Sequence, residues 1–279
     1  ASLRGHSGSV LWSPFFVAMA VVGLNLPSVE PVQMLPLGLG LAALSLLLGP
    51  VVFGAGGVGA ILYAMGRSLT ALRPVVLTVA VLSALVLTLT TVTNLASLEA
   101  MILTITPLAA LGLALQGKSR LPAALGEAVD NLGRLGDEMA IICLSMTFGS
   151  VVRQSGLGAE LLAPFWGLGL SPLTVILGSL ALMLGGAIVG IHPMIPTVVL
   201  LTAQATGNTG VHDLIMAELV LLGWGHGAMV SFSGVVCLFS AAMFRVPARR
   251  LIFGPNLAYS TAFCLLAGLA LAAVDALLH

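Results

Sequence analysis

The run from residue 74 to residue 95, PVVLTVAVLSALVLTLTTVTNL, carries no charged side chain and consists mainly of Val, Leu and Thr. A helix of about 20 such residues matches the hydrocarbon thickness of a bilayer. Comparable runs recur at 34–51, 100–116, 172–190 and 255–275. They are continuous rather than alternating and too long for barrel strands, which excludes an outer-membrane barrel. Composition agrees. Of 279 residues, 7% are charged and 59% hydrophobic, whereas an ordinary soluble domain is about 25% charged. The reading is an all-α, polytopic membrane protein with room for roughly eight or nine membrane segments. The formal net charge is +0, so nothing points to nucleic acid. Cys143, Cys237 and Cys264 each sit in an apolar run without CxxC spacing; they read as small buried hydrophobes, with no metal or cofactor expected.

In chain order, Arg4 precedes a first apolar segment at 10–26, interrupted by Ser13-Pro14. Arg4 and the apolar run imitate a signal peptide, but no small-x-small cleavage site follows, so the segment reads as mature membrane structure. After the span at 34–51, a glycine-rich continuation reaches Gly66, and Arg67 and Arg73 bracket an expected loop. The spans 74–95 and 100–116 follow, joined by a turn at Asn94 to Glu99. Residues 117–137 are the longest polar stretch and read as an interfacial amphipathic connector. The positive-inside rule places Arg67, Arg73, Lys118 and Arg120 on the cytoplasmic side. Residues 139–152 and 156–170 read as a further apolar segment and an interfacial one.

Two features break this apolar pattern. The span 172–190 ends at Gly190-Ile191-His192-Pro193, and a second apolar arm starts at Met194. This reads as a helical hairpin over 172–205 that enters the membrane and turns back. The second feature, Gly223 to Gly234, places four glycines, two serines and His226 inside an apolar helix over 214–243. Each glycine weakens a helix by about 1 kcal/mol relative to alanine. A polar break in an apolar span needs protein or a water-filled cavity around it. In a transporter such a break points to the binding site.

A shift of 220 residues lays Ser13 on Ser233 and Pro27 on Pro247; one residue of slip lays Pro36 on Pro255 and Gly49 on Gly268. The pattern reads as two related halves, each a broken helix followed by a proline-initiated span, in an inverted repeat. The expected division is a first repeat over 1–116, a connector over 117–137 and a second repeat over 138–279. The first half has no hairpin ahead of its break, so an upstream segment is expected, either missing or supplied by another chain.

The Gly190-Ile191-His192-Pro193 tip and the Gly227 to Gly234 break resemble the ion transporter superfamily, which includes divalent-anion/sodium symporters and the large membrane subunit of TRAP transporters. The resemblance covers 139–275 and, in the first half, runs only from residue 10. The symporters' Ser-Asn-Thr tip motif is replaced by His192-Pro193-Met194. The resemblance implies an elevator-type secondary transporter of a small anion, in the cytoplasmic (inner) membrane, as a homodimer or with a partner membrane subunit.

The candidate substrate-binding residues are His192, Pro193 and Thr197 at the tip, His226, Gly227, Ser231, Ser233 and Gly234 at the break, and Ser13 and Pro14 in the first half. Half-helix N-termini after such breaks favour an anion. His192 and His226 titrate near neutrality when unperturbed, and Glu218 is costly inside an apolar helix, about 2.5–3.5 kcal/mol at its centre. These three are the candidates for a coupling proton or Na⁺. The competing structural readings are a polar tip residue for His192, and for His226 a ring satisfied by carbonyls that the glycines free. Two other functions compete. One is a non-transporting scaffold subunit. The other, an intramembrane metalloenzyme, is disfavoured because Glu218 and His226 lie about 80° apart around a helix and no HExxH spacing is present.

Overall fold

In the computed structural model, the described residues are 2–52, 58–93, 95, 97–115, 169–205, 209–232 and 234–279, with scattered positions between 122 and 160. Among them no strand occurs. The helices are α1 (Ser2–Val10), α2 (Val17–Asn25), α3 (Pro31–Val52), α4 (Val58–Thr93), α5 (Ser97–Leu115), α6 (Pro172–Ile188), α7 (Met194–Ala205), α8 (Asp213–Met229), α9 (Val235–Phe244), α10 (Ala248–Ile252) and α11 (Pro255–Leu278). The expected connector at 117–137 and the segments at 139–152 and 156–170 lie almost wholly outside the described residues.

Among the described residues, three stretches are long and apolar enough to cross a membrane: Pro31–Gly49, Val75–Thr93 and Ala248–Leu278. Each presents large apolar side chains outward, among them Leu46, Leu77, Val92 and Leu265. Several threonines in the α4 and α5 spans are satisfied locally, whereas the buried Ser83 hydroxyl has no partner. Thr90 donates to the Leu87 carbonyl at 2.8 Å and Thr104 to that of Ala100 at 2.7 Å, which keeps hydroxyls tolerable in an apolar helix.

One expectation is corrected here. No loop separates Arg67 from Arg73; α4 is a single helix of 36 residues that contains both. At 1.5 Å per residue it is about 54 Å long, well beyond the roughly 30 Å hydrocarbon core. Arginine is a good helix former, and its long stem lets the charge reach water from a helix end. The helix therefore runs through the arginines and leaves only Val75–Thr93 as its spanning part.

The core is organised around α8. Helices α1, α2, α3, α6, α7, α9 and α11 all pack against it, and every residue from Ile215 to Leu222 is buried. A helix apolar on all sides is the kind that ends up enclosed by others. Helices α4 and α5 pack mainly on each other and touch the rest through α3 and α2. Helices from both ends of the chain thus share one core.

The glycines of α8 do not break it. Gly223, Gly225 and Gly227 lie in continuous helix that runs to Met229, whereas the sequence placed the break from Gly223 onward. Their role is close helix approach. A Cβ on Gly223 would lie 2.2 Å from the Met183 sulfur of α6, and one on Gly225 would lie 2.9 Å from the Ser7 carbonyl oxygen of α1. The propensity penalty of glycine is overridden by tertiary packing. The interruption falls later, at Val230 to Gly234.

Candidate functional site

Two interrupted helices define the site region. The first runs α1, then residues 11–16, then α2; the second runs α8, then residues 230–234, then α9. At the first, Pro14 removes a backbone donor. Ser13 donates its N–H to the Ser9 carbonyl at 3.0 Å, and its hydroxyl oxygen accepts from Phe15 N–H at 3.4 Å. Both Ser13 and Pro14 are buried. At the second, Ser231 is buried and its carbonyl accepts from Gly234 N–H at 3.3 Å. A Cβ on Gly234 would lie 2.3 Å from the Ala228 carbonyl oxygen. The chain here turns back over the last turn of α8, and only glycine fits. Ser233 lies outside the described residues.

The half-helices that follow share a trait. Neither α2, with Phe16 at its N-cap, nor α9, with Gly234, has a side-chain cap. Helices α10 and α11 also lack one, whereas Ser171 caps α6 and His212 caps α8. The first N–H groups of a helix have no partner within it, and they carry partial positive charge. Two uncapped N-termini next to buried breaks are therefore disposed towards an anion.

The tip joins the second break's helix. Gly190, at φ 92°, allows the turn after α6, and α6 and α7 pack on each other. The His192 Nδ1 accepts from Met194 N–H at 3.3 Å, and its ring meets the Trp224 ring edge-on at 6.0 Å. Pro193 is buried against Gly227, where an added Cβ would lie 3.6 Å from the proline Cγ. Thr197, fully buried, leaves its hydroxyl without a hydrogen bond. The structure thus brings together His192, Pro193 and Gly227 as the sequence expected, in a closely packed arrangement.

It does not bring the two breaks face to face. Helix α1 meets α8 with Ser7 and Val10 against Gly225. Leu11, at the first break, lies towards Glu218, and Leu3 clusters with Met229 at the other end. The two helices run antiparallel, and the breaks flank their contact from opposite ends.

The ionisable candidates separate accordingly. His226 is wholly buried within α8. Its Nδ1 lies 3.4 Å from Ser260 Oγ, its ring is 4.7 Å from Phe263 and 5.8 Å from Tyr259, and Nε2 has no partner. The expectation that freed carbonyls would satisfy it fails, because the helix around it is intact. Tyr259 in turn meets Ser45 of α3, with 2.5 Å between hydroxyls, and the Arg4 guanidinium lies over its ring at 5.7 Å. Glu218 is also fully buried, and no side chain hydrogen-bonds its carboxyl. It stands against the backbone of Gly38 in α3, beside the Leu11 carbonyl.

One cluster escaped the sequence reading. Asp213 accepts from Ser28 Oγ at 2.6 Å and from Gln204 Nε2 at 2.7 Å; Gln204 also donates to the Val211 carbonyl at 2.8 Å and bonds Thr209. His212 N–H donates to Asp275 at 2.8 Å. The knot ties the α2–α3 turn, α7, α8 and the end of α11. A cleft lined by Asn25, Ser28, Gln204, Asp213 and His279 opens beside it. Its members are dispersed over 250 residues and form no local motif. Among the described residues, no group of three or more His, Cys, Asp or Glu is placed to hold a metal.

Comparison with family models, curated proteins and solved structures gives no match to this chain.

Proposed function

We propose that the chain is the membrane part of a secondary transporter for a small anion, such as an organic acid. The observation that carries this reading is the pair of buried helix breaks, each followed by a half-helix whose N-terminus no side chain caps. Such ends favour negative charge without an arginine cluster. Helix continuity is given up twice inside an apolar core, where each freed backbone group needs a partner; a bound substrate group is one such partner.

The finer architecture belongs to the same proposal. The chain crosses the inner membrane several times, with eight or nine segments as its length allows. The unit of α6 and α7 acts as a re-entrant hairpin with its tip on Trp224 and Gly227. Supporting an inverted repeat, the 220-residue shift lays the end of α1 at Val10 on Val230, just past the end of α8. The two breaks lie at opposite ends of an antiparallel contact, as a two-fold relation in the membrane plane requires. The tip packs closely on α8, so this conformation is a closed one and release needs movement of the hairpin.

The test is flux. Protein reconstituted into liposomes is offered a panel of labelled small mono- and dicarboxylates and inorganic anions. Saturable uptake of at least one anion is expected, reduced at least tenfold by His226→Ala together with Ser231→Ala. If no anion moves and a second membrane chain copurifies, the scaffold reading replaces this one.

A further inference from the structure

Glu218 has no role in the anion site as described, yet it is the most anomalous group in the core. It is fully buried; no side chain hydrogen-bonds its carboxyl, and the one donor near it is the backbone N–H of Gly38, short of normal hydrogen-bond geometry. The helices packed on α8 offer no counter-charge. Helices α2, α3, α6 and α7 carry no ionisable side chain. Arg4 and His6 on α1, Cys237 on α9, and Tyr259, Cys264 and Asp275 on α11 make neither hydrogen bond nor ion pair with it, and the same holds for Asp213 and His226 on α8 itself. An isolated carboxylate in such a place carries a solvation penalty far larger than a neutral acid does.

An acceptor lies beside it. The Leu11 carbonyl is the first after α1 ends, and no hydrogen bond to it forms among the described residues. Its oxygen is 2.1 Å, and Glu218 Oε1 is 3.2 Å, from the position that a Cβ on Gly38 would occupy. Both oxygens border one small space that exists because residue 38 is glycine. Two oxygens bordering one apolar space repel each other when the carboxyl is ionised, whereas a protonated carboxyl has an O–H to offer a carbonyl.

We propose that Glu218 is the proton-carrying residue of the transporter, holding its proton towards the Leu11 carbonyl at the first helix break. The proposal rests on the transport reading and deepens it by naming the coupling ion. It also sets the sign. Glu218 borders the first of the two breaks that form the proposed anion site, at Leu11. A neutral acid tolerates an anion nearby, and a carboxylate repels it. Proton and anion therefore each favour the other's binding, as linkage requires, and they move together, in symport. On release, the O–H bond of Glu218 breaks and the proton passes to water at the open face.

The experiment has two arms. In the first, wild-type protein in lipid is titrated while infrared spectra record the carboxylic-acid C=O band, with Glu218→Gln as reference. Labelling of the wild type with a lipid-soluble carbodiimide, located by peptide mass, serves as a check that needs no variant. A D₂O-sensitive band missing in E218Q, and label on Glu218 that fades as pH rises, are expected. In the second arm, an entrapped pH dye follows proton entry with the anion found to be transported. Wild type acidifies the lumen as anion enters; in E218Q the proton movement per anion transported falls at least tenfold. Band and label with no anion flux leave the proton site standing and overturn the transport reading. Anion flux without band, label or acidification, or flux that needs Na⁺ instead, overturns the proton site.

Discussion

The two interruptions of the core helices differ in what stops the helix and in what lies beside the stop. At the first, proline removes a donor and Ser13 folds its hydroxyl onto the Phe15 amide; the neighbours are Gly38 and a carboxyl without a partner. At the second no proline is present. Helix α8 runs through three glycines and stops only at Val230, where the chain turns back over Ala228; the neighbours are serines and the hairpin tip's helix partner. The first break is written into local chemistry. The second is imposed by packing, since the glycines that seemed to break the helix are the residues that let α1 and α6 approach it.

Substitutions test this contrast, from the largest effect to the smallest. Gly38→Ala places a Cβ 2.1 Å from the Leu11 carbonyl oxygen, a backbone atom held by the first break. A loss of about 3 kcal/mol is expected, at the upper end of overpacking penalties, read by thermal unfolding in detergent. A loss under about 1 kcal/mol would show that the break yields. Gly234→Ala meets the Ala228 carbonyl at 2.3 Å in a segment without regular structure on one side; about 2 kcal/mol is expected. If its effect exceeds that of Gly38→Ala, the second break is the more rigid and the contrast drawn here is reversed.

Asp275→Ala removes the acceptor of the His212 N–H and is expected to destabilise by about 1 kcal/mol. Protease nicking near residue 210 should rise with it, because the knot there loses its link to α11. Ser13→Ala deletes one local hydrogen bond and should lose only about 0.5–1 kcal/mol; its anion uptake, if Ser13 serves the site, falls by more than stability explains. The smallest effect belongs to Gly223→Ala. Its Cβ would sit 2.2 Å from the Met183 sulfur, nearly as close as in Gly38→Ala. That sulfur ends a flexible side chain, and alanine regains about 1 kcal/mol of helix propensity. Near-neutral stability is expected, and the comparison with Gly38→Ala isolates backbone clash from side-chain clash at equal distance.

Much of the fold was legible before any coordinates. The apolar runs at 34–51, 74–95, 100–116, 172–190 and 255–275 correspond to α3, α4, α5, α6 and α11, because length and hydropathy are properties of the run itself. Pro14 marked its break for the same reason: a missing N–H acts within one turn. The pairing of the His192-Pro193 tip with α8 was also anticipated. What escaped was non-local. The Asp213 knot draws on residues from 28 to 275, and Arg67 and Arg73 were read as loop ends whereas the helix continues past both and through Pro74.

By itself the sequence determined that this chain is helical and apolar enough in places to cross a membrane, and that its helix is interrupted near Ser13-Pro14. Only the tertiary structure decided which glycines serve packing and which permits a turn, because both need a residue without Cβ and differ only in what stands opposite. It alone set Glu218 beside the Leu11 carbonyl, across 207 residues of chain. A carboxyl in an apolar helix is visible in sequence; whether a partner waits for it depends on which other helix is pressed against it.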